Sequence, residues 1–411
     1  MKRTPNIRFK GFEGEWEEST LSKYLEVFDK KNKDEALNAE DILSVSGEYG
    51  VVNQIAFHGK SFAGASLKGY RVTENGNILY TKSPLRQQPY GIIKANKYGK
   101  GIVSSLYAVY STKNDVDSSF VQEYFKLDAR LNSYLLPLIN KGAKNTILVS
   151  DDEAILGKVI FPKPNEQKAI SSFLENIDAL ISKREKEVEK MRNIKKALLE
   201  KMFPQGDEKV PQIRFGEFKE EWKEKELSSY LDVSEERNAK NQFGIQDVLS
   251  VSGDYGVVNQ IEFQGRSFAG ASLLGYRVLH KGEVVYTKSP LKANPFGIIK
   301  SNKYCDGIVS SLYGVYHVKE ANADFIQDYF DLTSRLNAYL RPLVNKGAKN
   351  TLLITDEGAL KGLVSFPKEK EQNAISNFIR VFDKMLSARD RQVTLLKNMK
   401  RALLEQMFVN E

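Results

Sequence analysis

The sequence holds one cysteine, Cys305, and only three histidines, His58, His280 and His317. A lone thiol forms no internal disulfide and no thiolate cluster, and three scattered histidines are too few for most histidine-built metal sites. Zinc and most hydrolytic machinery are thereby disfavoured. No apolar run is long enough to cross a bilayer, and Met1-Lys2-Arg3-Thr4-Pro5-Asn6 lacks the apolar segment of a secretory signal. A cytoplasmic chain with no membrane partner is expected. What is present, 41% hydrophobic, 28% charged and 10% aromatic residues, is a globular composition, and 411 residues allow two or three cores. The net charge of +8 pushes only mildly toward polyanions, so its distribution decides its meaning.

The chain is two copies of one unit. Ile7-Arg8-Phe9 recurs as Ile213-Arg214-Phe215, Trp16 as Trp222 and Lys82-Ser83-Pro84-Leu85 as Lys288-Ser289-Pro290-Leu291, each displaced by 206 positions. The displacement becomes 205 by Asn140 to Thr146, which returns as Asn345 to Thr351. Between Leu43–Val72 and Leu249–Val278 the copies agree at 25 of 30 positions. So long a period marks a duplicated domain rather than a solenoid, whose repeats run to roughly 20 to 50 residues.

Each copy has two textures. From Leu43 to Tyr110, β-branched and aromatic residues punctuated by glycine predict short strands and turns. The spacing of Phe120, Tyr124, Leu127, Leu131 and Leu135 predicts a helix over 120–139. The closing segments, Asn165 to Phe203 and Lys370 to Phe408, contain no glycine or proline and read as long helices, the first capped by Asn165. About 37 residues at 1.5 Å each reach about 55 Å. A heptad-like seam runs through Phe173, Ile177, Leu180, Val188, Met191, Ile194, Leu198 and Met202, with Arg184 in its gap. Its copy is Phe378, Phe382, Met385, Val393, Leu396, Met399, Leu403 and Met407, with Arg389 in the gap. The other faces are charged, and the short link at Pro204-Gln205-Gly206-Asp207 favours antiparallel pairing about an approximate two-fold axis. The expected fold is α+β. Two mixed strand/helix modules, 1–164 and 205–369, are joined by a central helix, 165–204, and a distal one, 370–411.

Basic charge gathers in the strand-rich modules. From Val51 to Tyr110 eight Lys/Arg face the single acid Glu74, and from Val257 to Tyr316 seven face three acids. Interleaved amide and hydroxyl side chains are of the kind that grip phosphates and read base edges. A solvated lysine surface looks similar on charge alone. Duplication favours double-stranded DNA, because a two-fold protein suits a two-fold duplex. The candidate contacts are Lys82, Ser83, Arg86, Gln87, Gln88, Lys94, Asn96 and Lys97, with Lys288, Ser289, Lys292, Asn294, Lys300, Asn302 and Lys303 in the second copy.

Enzyme motifs fail on inspection. Gly59-Lys60-Ser61 has Gln54 where a phosphate loop needs its first glycine, and reads as a turn. Asn294-Pro295-Phe296-Gly297 lacks the second proline of an amino-methyltransferase motif, and its counterpart is Gln88-Pro89-Tyr90-Gly91. Asp151, Asp152 and Glu153 suggest a metal nuclease, but the second copy reads Thr355-Asp356-Glu357, which points instead to a helix cap. Cys305 matches Gly99, so no thiol chemistry is shared by the copies.

The layout resembles the specificity subunit of type I restriction-modification systems over nearly the whole chain. The most specific residues are Pro5-Asn6-Ile7-Arg8-Phe9 to Trp16, Phe161-Pro162 with Glu166-Gln167, and Lys196 to Phe203, each with its copy: Pro211 to Trp222, Phe366-Pro367 with Glu371-Gln372, and Arg401 to Phe408. The resemblance implies a non-catalytic subunit whose modules are target-recognition domains and whose helices form an antiparallel coiled coil. It implies no cofactor here. S-adenosylmethionine, ATP and Mg2+ belong to two methyltransferase subunits and to restriction-translocase subunits. Family members commonly carry two dissimilar recognition domains, whereas these are close copies, so the expected target is a bipartite near-palindrome. A duplicated protein-binding scaffold and a stand-alone DNA methyltransferase or nuclease remain as alternatives.

Overall fold

The computed structural model describes residues 3–64, 66–82, 88–141, 147–206, 208–290, 294–346 and 352–409. The chain forms two compact units: Met1–Glu185 with Arg391–Glu411, and Lys186–Asp390.

In the first unit β1 (Glu17–Thr20), β2 (Leu25–Val27), β3 (Leu43–Ser46) and β4 (Gly50–Asn53) lead to the short helix α1 (Gln54–His58). Then come β5 (Arg71–Thr73), β6 (Ile78–Tyr80), β7 (Ile93–Ala95), β8 (Gly101–Val103) and β9 (Ala108–Thr112). Helices α2 (Ser118–Tyr124) and α3 (Asp128–Leu135), strands β10 (Asn140–Lys141), β11 (Ile147–Leu148) and β12 (Lys158–Phe161), and the long helix α4 (Pro164–Lys201) follow. An antiparallel sheet of order β2-β9-β6-β7 is the centre, and β1 pairs with β12 from Glu17↔Phe161 to Thr20↔Lys158. All three residues of β6 and of β7 are buried, as befits strands covered on both faces.

The predicted helix over 120–139 is two helices. Leu127 takes an extended conformation (φ −82°, ψ 123°), and Phe125 turns into the core, its ring 4.8 Å from that of Tyr134. Helix α4 begins at Pro164, one residue before the expected cap. Proline suits this first helical position, whose N–H has no partner to lose, and Asn165 lies inside the first turn.

The leading segment is pinned to α4. Arg8 donates from Nε and Nη2 to the two oxygens of Glu166, both at 2.7 Å, and Trp16 Nε1 donates to Glu166 Oε1 at 3.3 Å. Gln167 accepts from the Asp117 N–H and donates to the Pro162 carbonyl. The residues that carry the family resemblance thus serve the fold. Trp16, Phe120, Phe161 and Leu174 form the core together with Leu404, Met407 and Phe408 of a second long helix and its end. Asp178 meets Lys400 and Glu185 meets Lys397, so the two helical segments of this unit run antiparallel.

The second unit repeats this order: β13 (Lys223–Glu226), β14 (Leu231–Val233), β15 (Leu249–Ser252), β16 (Gly256–Asn259), α5 (Gln260–Gln264), β17 (Arg277–Leu279), β18 (Val284–Tyr286), β19 (Ile299–Ser301), β20 (Gly307–Val309) and β21 (Gly314–Val318). Then come α6 (Ala323–Phe330), α7 (Thr333–Leu340), β22 (Asn345–Lys346), β23 (Leu352–Leu353), β24 (Leu363–Phe366) and α8 (Glu369–Gln406), the second long helix. Its sheet order is β14-β21-β18-β19. Arg214, Glu371 and Trp222 repeat the first unit's pin, and Leu199, Met202 and Phe203 fill the core place. Here Arg192 meets Asp390 and Lys195 meets Asp383, again antiparallel.

The seam follows the expected one in part, keeping Ile177, Val188 and Met202 and, in the second copy, Val393 and Met407, and departs from it elsewhere. Ile170, Leu174, Ile177, Ile181, Val188 and Leu199 are buried on α4, whereas Phe173, Leu180 and Ile194 are 36%, 40% and 42% exposed. On α8 the same holds for Ile375, Ile379 and Val393 against Phe378, Met385 and Met399. Neighbouring apolar pairs such as Phe173-Leu174 and Leu180-Ile181 admit either stripe at a period of three to four. Packing selects between them, since Phe173 meets Phe9 edge-on at 5.4 Å and Phe378 meets Phe215 at 5.9 Å.

Candidate nucleic-acid interface

The loop that follows β6 begins at Lys82, whose φ of +45° is rare for a residue with a side chain. Its ammonium reaches Asp151, and so does the guanidinium of Arg71 from β5. Both cations hold the Asp151 carboxyl below its ordinary range against the desolvation that pushes it up. The Tyr110 hydroxyl donates to the Asp151 backbone carbonyl at 2.9 Å. In the second unit Lys288 (φ +47°) and Arg277 meet at Asp356, with the Tyr316 hydroxyl on its carbonyl. Asp151 is therefore the anion of an ion network rather than a cap. The signal that marks it in sequence is that all three charged residues recur together in the second copy.

The other candidate side chains are mostly spent inside each unit. Asn96 donates to the Gly99 carbonyl at 2.7 Å and accepts from the N–H groups of Tyr98 and Gly99, so it builds a turn. Asn302 does the same with Cys305 and Tyr304. Lys97 pairs with Glu175 of α4, Lys303 with Asp324 at 3.5 Å and Lys300 with Asp331 at 2.6 Å. Lys94, only 8% exposed, has its pKa lowered to about 8 by burial, with like charge from Lys126 and Lys400. Gln88 donates to Asp128 at 2.9 Å, whereas Asn294 accepts the Gly297 N–H through its backbone carbonyl and its side-chain Oδ1 is buried with no hydrogen-bond partner among the described residues. Ser289 is half-buried where its loop begins. Ser83, Arg86, Gln87 and Lys292 lie outside the described residues.

Composition concealed a row of exposed rings. Tyr49 and Phe57 lie 5.4 Å apart, His58 meets Phe57 at 4.8 Å and Phe62 at 5.3 Å, and Lys60 Nζ sits 5.3 Å from the Phe62 ring. The second copy has Tyr255 and Phe263 at 5.4 Å and Arg266 at 4.6 Å from Phe268. Gly59 and Gly265, both at φ +74°, end the short helices α1 and α5 that carry these rings, so Gly59-Lys60-Ser61 is a helix-ending turn. Among the described residues no group of three or more His, Cys, Asp or Glu is arranged to hold a metal ion, and no helix is long and apolar enough to cross a membrane.

No family model matches the chain. Two curated proteins of Methanocaldococcus jannaschii are similar to it. One is a putative type I restriction enzyme specificity subunit, MjaX, 21% identical over 290 residues that cover 66% of this chain and 63% of the relative. The other is the MjaVIII specificity subunit, 27% identical over 139 residues that cover 33% and 31%. The chain thus matches less than two thirds of each relative's length. Among solved structures, the S subunit of a type I restriction-modification system from M. genitalium superposes with a TM-score of 0.58 at 12% identity, covering 99% of this chain and 100% of that one. A chain from a structure concerned with complex assembly and conformational transition of the type I restriction-modification system gives 0.53 at 12%, covering 96% and 97%. At such identity the likeness to the solved structures is one of fold. In sequence and in fold, the chain resembles type I specificity subunits.

Proposed function

We propose that this chain is the DNA-recognition subunit of a type I restriction-modification complex, binding a bipartite near-palindromic target through its two modules. One observation carries the reading: a single module is built twice, each time in a compact unit with segments of two long antiparallel helices. Similar modules joined by spacer helices suit inverted half-sites separated by unread bases. In this reading the chain does no chemistry. Two methyltransferase subunits and restriction-translocase subunits dock on it and bring S-adenosylmethionine, ATP and Mg2+.

Base contact falls to the residues that follow Lys82 and Lys288 in sequence, Ser83, Arg86, Gln87, Gln88, Ser289, Lys292 and Asn294. Lys94, Asn96, Lys97, Lys300, Asn302 and Lys303 complete the proposed DNA-facing set, with Lys97 and Lys303 the exposed cations among them. Gln88 and Asn294 both suit adenine, whereas Ala293 offers no hydrogen bond where Gln87 does, so departures from perfect symmetry trace to that pair. The test is base-resolution mapping of modified adenines in a genome where only the reconstituted complex of this subunit is active. Inverted, nearly identical half-sites are expected. Two unrelated half-sites would sink the symmetric reading, and methylation or cleavage by the purified chain alone would overturn its non-catalytic role.

A further inference from the structure

Large aromatic rings on a surface invite a partner when they cluster. Tyr49 is 62% exposed, Phe62 59% and Tyr255 70%; the second module repeats the Tyr–Phe pair and the cation over the outer ring, with Gln264 in the place of His58. The short helix beneath each row is not held by burial, since none of the five residues of α1 or of α5 is buried. Caps hold it instead. Asn53 accepts the Ala56 N–H at 3.0 Å and donates to the Glu40 carbonyl at 2.6 Å, while Gly59 closes the other end. Gln54 reaches past the helix to accept the Phe62 N–H at 2.7 Å, and Gln260 accepts the Phe268 N–H at the same distance. Polar bonds thus fix a backbone that presents rings to solvent, which lowers the ordering cost of binding.

The cations identify the occupant. Lys60 and Arg266 lie over the outermost rings, Phe62 and Phe268, and lysine is depleted at the cores of protein–protein interfaces. Nucleic acid, by contrast, offers a base face to a ring and a phosphate to the adjoining cation, and apolar wedges against base steps are an established way to grip duplex DNA. The surrounding windows carry eight basic residues against one acid and seven against three, and although Arg71, Lys82, Lys97, Arg277, Lys288, Lys300 and Lys303 pair with acids within their units, Lys60 and Arg266 stand at the rings themselves. We infer that Tyr49, Phe57 and Phe62 with Lys60, and Tyr255, Phe263 and Phe268 with Arg266, are base-stacking wedges that engage the duplex in addition to the base-reading residues.

This inference rests on the DNA-binding reading above, and the test separates the two. Phe62→Trp and Phe268→Trp place an exposed reporter in a chain whose own Trp16 and Trp222 are 2% and 3% exposed. A short mixed-sequence duplex should quench the reporter, whereas heparin, a polyanion without bases, should not. Replacing Tyr49, Phe57 and Phe62 together with alanine should weaken affinity for the same duplex about tenfold. The slope of log affinity against log salt should not change, because no phosphate contact is lost. If the parent chain binds the duplex with normal salt dependence but the reporters are not quenched and the triple variant binds equally well, the wedge is refuted and the rings serve a protein partner. If the parent chain shows no salt-dependent binding at all, the DNA reading itself fails and takes the wedge with it.

Discussion

Arg8 and Glu166 meet side by side, Nε to Oε1 and Nη2 to Oε2 at 2.7 Å each, across 158 residues of sequence. Glu166 is 3% exposed and Trp16 donates to the same oxygen, so the carboxylate depends on this pair for its charge compensation. Arg8→Met should lower stability by about 2–3 kcal/mol. Arg8→Lys should recover little of it, because an ammonium cannot make the two-pronged contact. Urea unfolding of both variants, in a cycle with Glu166→Gln, measures the coupling; additive losses would dissolve the pair as an energetic unit.

Removing the anion of the ion network should be felt by both of its cations. Asp151→Asn takes the counter-charge from Lys82 and leaves Arg71 with Asp29 at 3.7 Å, and a loss of about 1–3 kcal/mol is expected. Lys82 also bears the cost of its left-handed backbone, which glycine does not. In the Asp151→Asn background, Lys82→Gly should therefore restore part of the stability, although the same change in the parent chain should cost some. Thermal midpoints of the four proteins decide it, and identical effects of Lys82→Gly in the two backgrounds would refute the linkage.

The Lys94 amine is deprotonated in the folded chain from about pH 8, whereas in the unfolded chain it titrates near about 10.4. Between those values the unfolded chain binds more protons, so stability should rise with pH across the window. Below about pH 8 both states are protonated and this contribution is flat. Subtracting the Lys94→Met profile from that of the parent, by denaturant midpoints from pH 7 to 10, isolates it. A parallel pair of curves would show that Lys94 titrates normally.

Phe408 is 1% exposed and packs against Trp16, Phe120 and Tyr124 at ring separations of 6.4, 5.5 and 5.8 Å. Phe408→Ala should destabilise the first unit by about 3–4 kcal/mol. Deleting the chain from residue 370 onward strips Leu404, Met407 and Phe408 from that core and bares the buried face of α4. Light scattering should then report dimers or aggregates; a soluble monomer with native thermal stability would contradict the packing described.

The duplication, the mixed modules and the two long helices are legible in the sequence because each is a pattern over many residues, insensitive to a shift of one. The seam is legible only in part, since Phe173 and Leu174 compete for it and Phe9, far away in the chain, settles which faces inward. The break at Leu127 escapes periodicity for a related reason, as the apolar spacing runs through it unchanged. The candidate contacts suffered most. A lysine reads as free charge until its acid is found, and the partners of Lys82 and Lys97 stand 69 and 78 residues away. Exposed aromatics such as Tyr49 and Phe62 do not stand out from the strand-forming aromatics around them, because only coordinates separate the two environments.

The first unit is discontinuous, closed by Arg391–Glu411, whereas the second is the single stretch Lys186–Asp390. On a ribosome making about 5–20 residues per second, the 205 residues of that stretch take roughly 10–40 s. Throughout that interval Trp16, Phe120 and Tyr124 have emerged, but Phe408 has not yet been synthesised. The second unit can fold first although it is made later. The nascent first unit meanwhile lacks the Leu404, Met407 and Phe408 side chains that complete its core.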